Sequence, residues 1–155
     1  MTSTTTRTQV HHSFELTREF PAPVERVWAA FAVRAEKAKW FGDPVNFDAT
    51  ENTDDFRVGG QAVEDGRWHD GPTSRFVATY TDIVDLQRIV YTYDMWIDGA
   101  HISTSVTTIA FEPTADGTHL TFTEQGVHLD GLDSGEGREQ GTSGLLDALG
   151  ASLTA

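Results

Sequence analysis

A long stretch of strand and turn signals, from residue 45 to 128, most constrains how this chain can fold. Within it, apolar residues recur at every second position, which is typical of strands with one buried face. The clearest series is Ile89, Tyr91, Tyr93, Met95 and Ile97. An antiparallel sheet built from such strands has an apolar face that another element must cover. The segment that follows, 134–153, is the only one long enough to cover it.

The residues before this stretch predict one more strand and two short helices. Residues 10–20 alternate between apolar and polar side chains, as in a half-buried strand. Two prolines then end the strand, and apolar residues recur at helical spacing from Val24 to Phe31. A second short helix ends at Gly42. The sequence therefore predicts an α+β fold. It has a curved antiparallel sheet of about six to seven strands, two short helices after the first strand and a long C-terminal helix packed across the sheet.

Local turn chemistry predicts where several of the strands are separated. Asp65-Gly66 and Asp98-Gly99 are dipeptides that favour tight hairpin turns. Residues 51–55 are polar throughout and are expected to form a loop. The last helix is expected to begin near Asp133 or Ser134, because either side chain can cap a helix.

Length, charge and composition limit how many domains the chain can form and which classes of partner it can bind. Residues 1–9 are expected to form a flexible polar tail and residues 10–155 a single domain. With 11 basic and 24 acidic residues, the formal charge of −13 excludes nucleic acid and anionic membrane surfaces as partners. No apolar run approaches the length of a membrane span. The absence of cysteine and of an apolar signal segment leads us to expect a cytoplasmic location.

The last helix contains an unusual number of glycines. Gly137, Gly141 and Gly144 fall on one narrow stripe beside a sector of leucines, although each costs about 1 kcal/mol in a helix relative to alanine. The stripe either allows close packing of another backbone or leaves space for a bound small molecule. Gly135, Gly137 and Gly141 also resemble a relaxed dinucleotide-binding fingerprint. No strand follows them to complete that motif, so no cofactor is expected.

Glu124 is the most informative charged residue, because it shares strand parity with the apolar Leu120 and Phe122. A carboxylate on the buried face must be paired, or its pKa must rise. Arg138 on the last helix and Arg18 on the first strand are its candidate partners. The sequence leaves three roles open: a structural ion pair, a polar anchor or general acid/base in a pocket, or simple exposure at a strand end.

Aromatic side chains supply most of the candidate cavity wall. The candidate lining residues are Trp40, Phe41, Phe76, Tyr80, Tyr91, Tyr93, Met95, Phe111, Phe122, Glu124, Gly141, Thr142 and Leu145. An apolar cavity with a few polar groups is the usual construction of a small-molecule site. The six histidines have no spacing typical of metal ligands, so no metal site is expected.

The chain as a whole resembles the SRPBCC superfamily, and within it the branch similar to the activator of heat-shock-protein-90 ATPase, the AHSA-like proteins. The matching segments are FELTREFPAPVERVWAAF, KWFGDP, DFRVGG, QRIVYTYDM, HLTFTEQGVHLDG and REQGTSGLLDALGASL. The resemblance implies a helix-grip fold. Related sequences often carry Gly-Trp in the last helix, where this chain has Gly141-Thr142. The missing indole favours open space under the helix.

The superfamily includes lipid carriers, hormone receptors, polyketide cyclases and co-chaperone domains, so three functions are open. The first is binding of a small hydrophobic or aromatic molecule in a cavity between the sheet and the last helix. The second is an enzyme of the polyketide cyclase or hydrolase kind, with Glu124 as acid/base and Arg138 beside it. The third is a co-chaperone-like or self-associating interaction domain, including a homodimer.

Overall fold

A computed structural model describes residues 6–154. Its elements, in chain order, are β1 (Gln9–Phe20), α1 (Val24–Ala32), α2 (Arg34–Lys37), β2 (Phe47–Asp54), β3 (Gln61–Trp68), β4 (Thr73–Val84), β5 (Arg88–Ile97), β6 (Ala100–Thr114), β7 (Gly117–Leu129) and α3 (Gly135–Leu153). Within residues 6–154 the seven strands form one antiparallel sheet, in the order β1-β7-β6-β5-β4-β3-β2. The predicted helix-grip α+β fold is confirmed.

The apolar face of the sheet and the two longer helices enclose the core. α1 follows Pro23, whose φ of −64° suits the entry to a helix, and it buries Val27 and Trp28. α3 is capped by Ser134, whose hydroxyl accepts a hydrogen bond from the backbone N–H of Gly137. Its Leu146 and Leu149 are 1% and 0% exposed. These leucines join the core cluster of the sheet, so α3 is the cover that the strand pattern requires.

Two segments that were predicted to separate strands lie inside strands instead. Residues 51–54, expected to form a loop, belong to β2, and Asp65-Gly66 lies within β3 rather than in a turn. A Cβ at Gly66 would overlap the carbonyl oxygen of Asp48 on the neighbouring strand, next to a register shift in β2. This glycine therefore permits close approach of two strands. The Asp98-Gly99 turn is confirmed, with φ values of +48° and +80°.

The start of the described chain is attached to the sheet. Residues 1–5 of the expected flexible tail lie outside the described residues. The backbone N–H of Asp130 donates to Thr8, whose own N–H donates to the Asp130 carboxylate, and β1 already begins at Gln9. The first strand therefore begins one residue before the predicted start of the domain. None of the helices between residues 6 and 154 has the length and apolarity that crossing a membrane requires.

Candidate functional site

A cavity of about 520 Å³ lies between the sheet, the region around α2 and the underside of α3. Most of its wall is aromatic or aliphatic. Of the residues predicted to line it, those found in the wall are Trp40, Phe41, Phe76, Tyr80, Tyr91, Tyr93, Met95, Phe122, Glu124, Gly141, Thr142 and Leu145. Strand alternation explains much of this wall, because β4 and β5 each place every second side chain on the same face.

Phe111 is the exception among the predicted lining residues. Its ring packs against Trp28 at 5.0 Å and Phe31 at 5.4 Å between centroids. Both partners lie on α1. Phe111 shares the inward parity of its strand, but it lies where α1 covers the sheet. It therefore belongs to the packed core and not to the cavity wall.

Glu124 is buried in the cavity wall, with 3% of its surface exposed. The hydroxyl of Tyr93 donates to Oε2 at 2.8 Å, and the hydroxyl of Thr107 donates to Oε1 at 3.1 Å. Register explains both contacts, since Thr107 faces Glu124 across the β6–β7 pair and β5 adjoins β6. Burial raises the pKa of Glu124, and its hydrogen bond with Tyr93 and the charge of Arg138 oppose that rise.

Arg138 connects α3 to this part of the sheet. Its guanidinium donates to the Tyr93 hydroxyl at 2.7 Å, the Ser103 hydroxyl at 2.8 Å and the Asp133 carboxylate at 2.6 Å. Its Nη1 lies 3.7 Å from Oε2 of Glu124. Burial and the charge of Glu124 both raise the pKa of Tyr93, so this hydroxyl remains a donor at neutral pH. We call Glu124, Tyr93, Thr107, Arg138 and Asp133 the paired cluster.

Arg18 is not a partner of Glu124. It shares strand parity with the buried Phe14 and Phe20 of β1, but its guanidinium donates to the hydroxyl of Ser143 at 2.8 Å and reaches Asp147 at 3.3 Å. Asp147 is largely exposed, with 71% of its side chain accessible. Arg18 therefore attaches α3 to β1 at the surface, away from the cavity wall.

A second group of charged residues lies near α2, at and beside the cavity wall, and was not predicted from the sequence. Lys37 Nζ lies 2.8 Å from the carboxylate of Asp54, which also accepts a 2.8 Å hydrogen bond from the Tyr80 hydroxyl. Glu64 lies on the cavity face of β3, and burial raises its pKa although the charge of Lys37 opposes the rise. Strand alternation could have predicted the position of Glu64. It lies on the same face of β3 as Ala62 and Trp68, which also line the cavity.

The glycines of α3 serve different purposes along the helix. Gly137 and Gly141 line the cavity. A Cβ at Gly141 or Gly144 would meet no atom within 4 Å, so close backbone packing is the wrong interpretation at these two positions. Close packing occurs instead at Gly135, where a Cβ would overlap the ring of His12. Thr142 is buried in the cavity wall, and its hydroxyl donates to the carbonyl of Arg138.

The described part of the chain contains no cluster of side chains suited to bind a metal ion. Between residues 6 and 154, no group of three or more histidine, aspartate or glutamate side chains is placed to hold a metal ion. Asp133 and His128 approach to 3.5 Å, but the remaining carboxylate contact of Asp133 is with Arg138. The cavity wall itself is mainly apolar and includes a few charged side chains.

Comparison with known proteins gives one family and several similar structures. Residues 21–154 match the model of the family described as "Activator of Hsp90 ATPase homolog 1-like protein". No sequence among the curated proteins matches the chain.

The structure of a Rhizobium loti protein is 44% identical, covers 94% of this chain and 99% of that one, and has a TM-score of 0.84. An uncharacterised protein of Rhizobium leguminosarum is 37% identical, covers 97% and 99%, and has a TM-score of 0.91. An AHSA1-like protein of Aeromonas hydrophila, 20% identical with 92% coverage of both chains and a TM-score of 0.70, shares the fold.

Proposed function

Starting from the family of activator of Hsp90 ATPase homolog 1-like proteins, to which the chain belongs, we propose that this protein binds a small, mainly apolar molecule between the sheet and α3. The observation that carries the proposal is the cavity of about 520 Å³. This volume lies within the range of about 300–1,000 Å³ that is usual for small-molecule sites. The ring-rich wall favours an aromatic ligand, because offset and edge-to-face ring contacts add to the gain from apolar burial.

The position of Gly141 supports this proposal. Gly141 lines the cavity on the underside of α3, and the space beside its Cα is open. Thr142 stands where related sequences often carry tryptophan, so a smaller side chain occupies that part of the wall. The helix therefore carries the unfavourable propensity of glycine at a position of the cavity wall where no other atom lies within 4 Å of the missing side chain.

An enzymatic role for Glu124 has less support than a role as a polar anchor. Glu124 does face the cavity, and its raised pKa suits acid/base chemistry. Both of its oxygens, however, already accept hydrogen bonds from Tyr93 and Thr107. These hydrogen bonds and the charge of Arg138 stabilise the ionised carboxylate in one fixed position, which suits a structural role. We therefore favour binding, with the paired cluster fixing the shape of one part of the cavity wall.

An interaction domain is the third function considered, either co-chaperone-like or self-associating. The large apolar side chains exposed among residues 6–154 are Val10, Val33, Val45, Val58 and Leu132. They come from five separate segments of the chain. A few exposed apolar residues are normal on protein surfaces, so this set does not by itself favour an interaction domain. A homodimer and the cytoplasmic location expected from the sequence remain predictions, to be checked by light scattering and by cell fractionation.

Isothermal titration calorimetry with 2-naphthalenemethanol, a neutral aromatic alcohol, tests the proposed function. We expect saturable binding of one molecule per chain. Gly141→Leu should abolish it by filling the cavity, whereas Gly144→Leu should bind like the wild type, because Gly144 lies outside the cavity wall. Both substitutions improve helix propensity equally, so they form a matched pair. Binding that is absent in the wild type, or unchanged in Gly141→Leu, would contradict the proposal.

A further inference from the structure

We propose that the ligand carries a protonated amine and that Glu64 is the group that receives it. The inference rests on the proposed function, since it names the chemical class of ligand for the same cavity. A compound with an aromatic or apolar body and one ammonium group would bury its body against the rings of the wall. Its ammonium group would then form an ion pair with the carboxylate of Glu64.

Glu64 is the charged group of the wall whose interactions are incomplete. It lies half-buried on the cavity face of β3. Within residues 6–154, no side chain or backbone group forms a hydrogen bond or an ion pair with its carboxylate. The nearby cation, Lys37, is held 2.8 Å from Asp54 instead. A partly buried carboxylate without a bonded partner loses hydration, and the charge of Lys37 offsets only part of that loss. A cationic ligand would supply the missing interaction.

Aromatic rings surround this carboxylate on the strands and on the segment after α2. Phe76 is directly opposite Glu64 in the β3–β4 register, and its ring lies 5.5 Å from that of Phe41. Trp68 lies further along the same face of β3, with its ring 5.0 Å from that of Phe47. All four rings line the cavity. Aromatic faces attract ammonium groups, so the rings and the carboxylate favour the same charge.

The balance of charge in the wall opposes an anionic ligand. The acidic residues of the wall are Asp43, Glu64, Glu124 and Asp133, and the basic ones are Lys37 and Arg138. Arg138 already contacts Asp133, and Lys37 already contacts Asp54. Among the described wall residues, both cations are thus neutralised by the protein. The chain's formal charge of −13 adds a long-range preference for cations.

Three probes that share one ring system test the charge preference by calorimetry at neutral pH. They are 2-naphthylmethylamine, 2-naphthalenemethanol and 2-naphthoic acid, which are cationic, neutral and anionic respectively. We expect the amine to bind the wild type about tenfold more tightly than the alcohol, and the acid to bind most weakly. Glu64→Gln should reduce the ratio of amine to alcohol affinity to about one.

Glu112→Gln is the matched control, since it removes the same charge from an exposed position of β6 outside the wall. The ratio of affinities should stay near ten in this variant. The inference is wrong if the wild type binds the alcohol as tightly as the amine. It is also wrong if the ratio of amine to alcohol affinity stays near ten in Glu64→Gln. Neither result contradicts the proposed function. If none of the three probes binds, the inference and the proposed function both fail.

Discussion

Glu124 and Glu64 face the same cavity from different strands, and their surroundings differ in one respect. Burial raises the pKa of both carboxyl groups. Glu124 accepts hydrogen bonds from Tyr93 and Thr107 and has Arg138 3.7 Å away. Glu64 has no such partner among residues 6–154, because Lys37, the cation near it, is bound to Asp54.

This difference separates a structural carboxylate from one that is available to a ligand. A buried charge is tolerated when hydrogen bonds and a counter-charge replace its lost hydration. The paired cluster meets that condition and attaches α3 to β5 and β6 through Arg138. Glu64 does not meet it, so its interactions are completed only when something enters the cavity. Stability should therefore depend on Glu124 and Arg138, and ligand selectivity on Glu64.

Arg138→Met should have the largest effect on stability. The substitution keeps a long apolar side chain but leaves the carboxylates of Glu124 and Asp133 without their cation. Removing one partner from a buried ion pair costs about 3–5 kcal/mol, and we expect the free energy of unfolding to fall by that amount. Urea denaturation followed by circular dichroism measures it.

Arg18→Met is the control for Arg138→Met, because Arg18 also joins α3 to the sheet. Its carboxylate partner Asp147 is 71% exposed, so water replaces the lost contact easily. We expect a loss of about 1 kcal/mol or less. Equal losses in the two variants would show that the paired cluster is no more important than a surface contact.

Glu124→Gln should have the next largest effect. The amide keeps one acceptor, but it removes the negative charge beside Arg138 and one of the two acceptors now used by Tyr93 and Thr107. We expect a loss of about 1–3 kcal/mol in the free energy of unfolding. A variant as stable as the wild type by urea denaturation would mean that the paired cluster is not a structural unit.

Glu64→Gln should have the smallest effect, and the opposite sign. Burial raises the pKa of Glu64 above its ordinary value of 4.5, so the folded state binds more protons than the unfolded chain above that pH. Wild-type stability therefore falls, relative to the variant, as the pH rises from about 4.5 through the pKa of the folded protein. At pH 7 the variant should be as stable as the wild type or more stable, by up to about 1 kcal/mol.

Urea denaturation of wild type and Glu64→Gln at about pH 4 and pH 7 measures this difference. The advantage of the variant should be present at the higher pH and absent at the lower one. A variant clearly less stable than the wild type at pH 7 would show that Glu64 makes a stabilising contact, and the contrast with Glu124 would then be lost.

Periodicity predicted the fold and much of the cavity wall because both depend on local geometry. Strand alternation alone places Tyr91, Tyr93 and Met95 on one face, and the same parity places Glu124 beside Phe122. Arg138, one of the two candidate partners of Glu124, does reach from α3 to the sheet. These predictions needed only the direction in which each side chain points.

The remaining features depend on contacts between segments that are distant in the sequence. The hydrophobic periodicity of each segment does not predict such contacts. Phe111 has the correct parity, but α1 covers that part of the sheet and excludes it from the cavity. Lys37 lies on α2 and Asp54 at the end of β2, so their ion pair depends on how these two elements meet in the fold. The space beside Gly141 likewise depends on how α3 meets the rest of the fold, so both interpretations of the glycine stripe were possible from the sequence.

The central claim, that the cavity receives a small molecule, is tested most directly by NMR of methyl-labelled methionine. The chain contains two methionines, Met1 and Met95, and Met95 lies in the cavity wall, so Met95→Leu identifies its signal. Titration with 2-naphthylmethylamine should shift the Met95 methyl signal saturably. The same titration of Gly141→Leu should leave that signal in place. A Met95 signal that does not move in the wild type at millimolar probe would contradict the account.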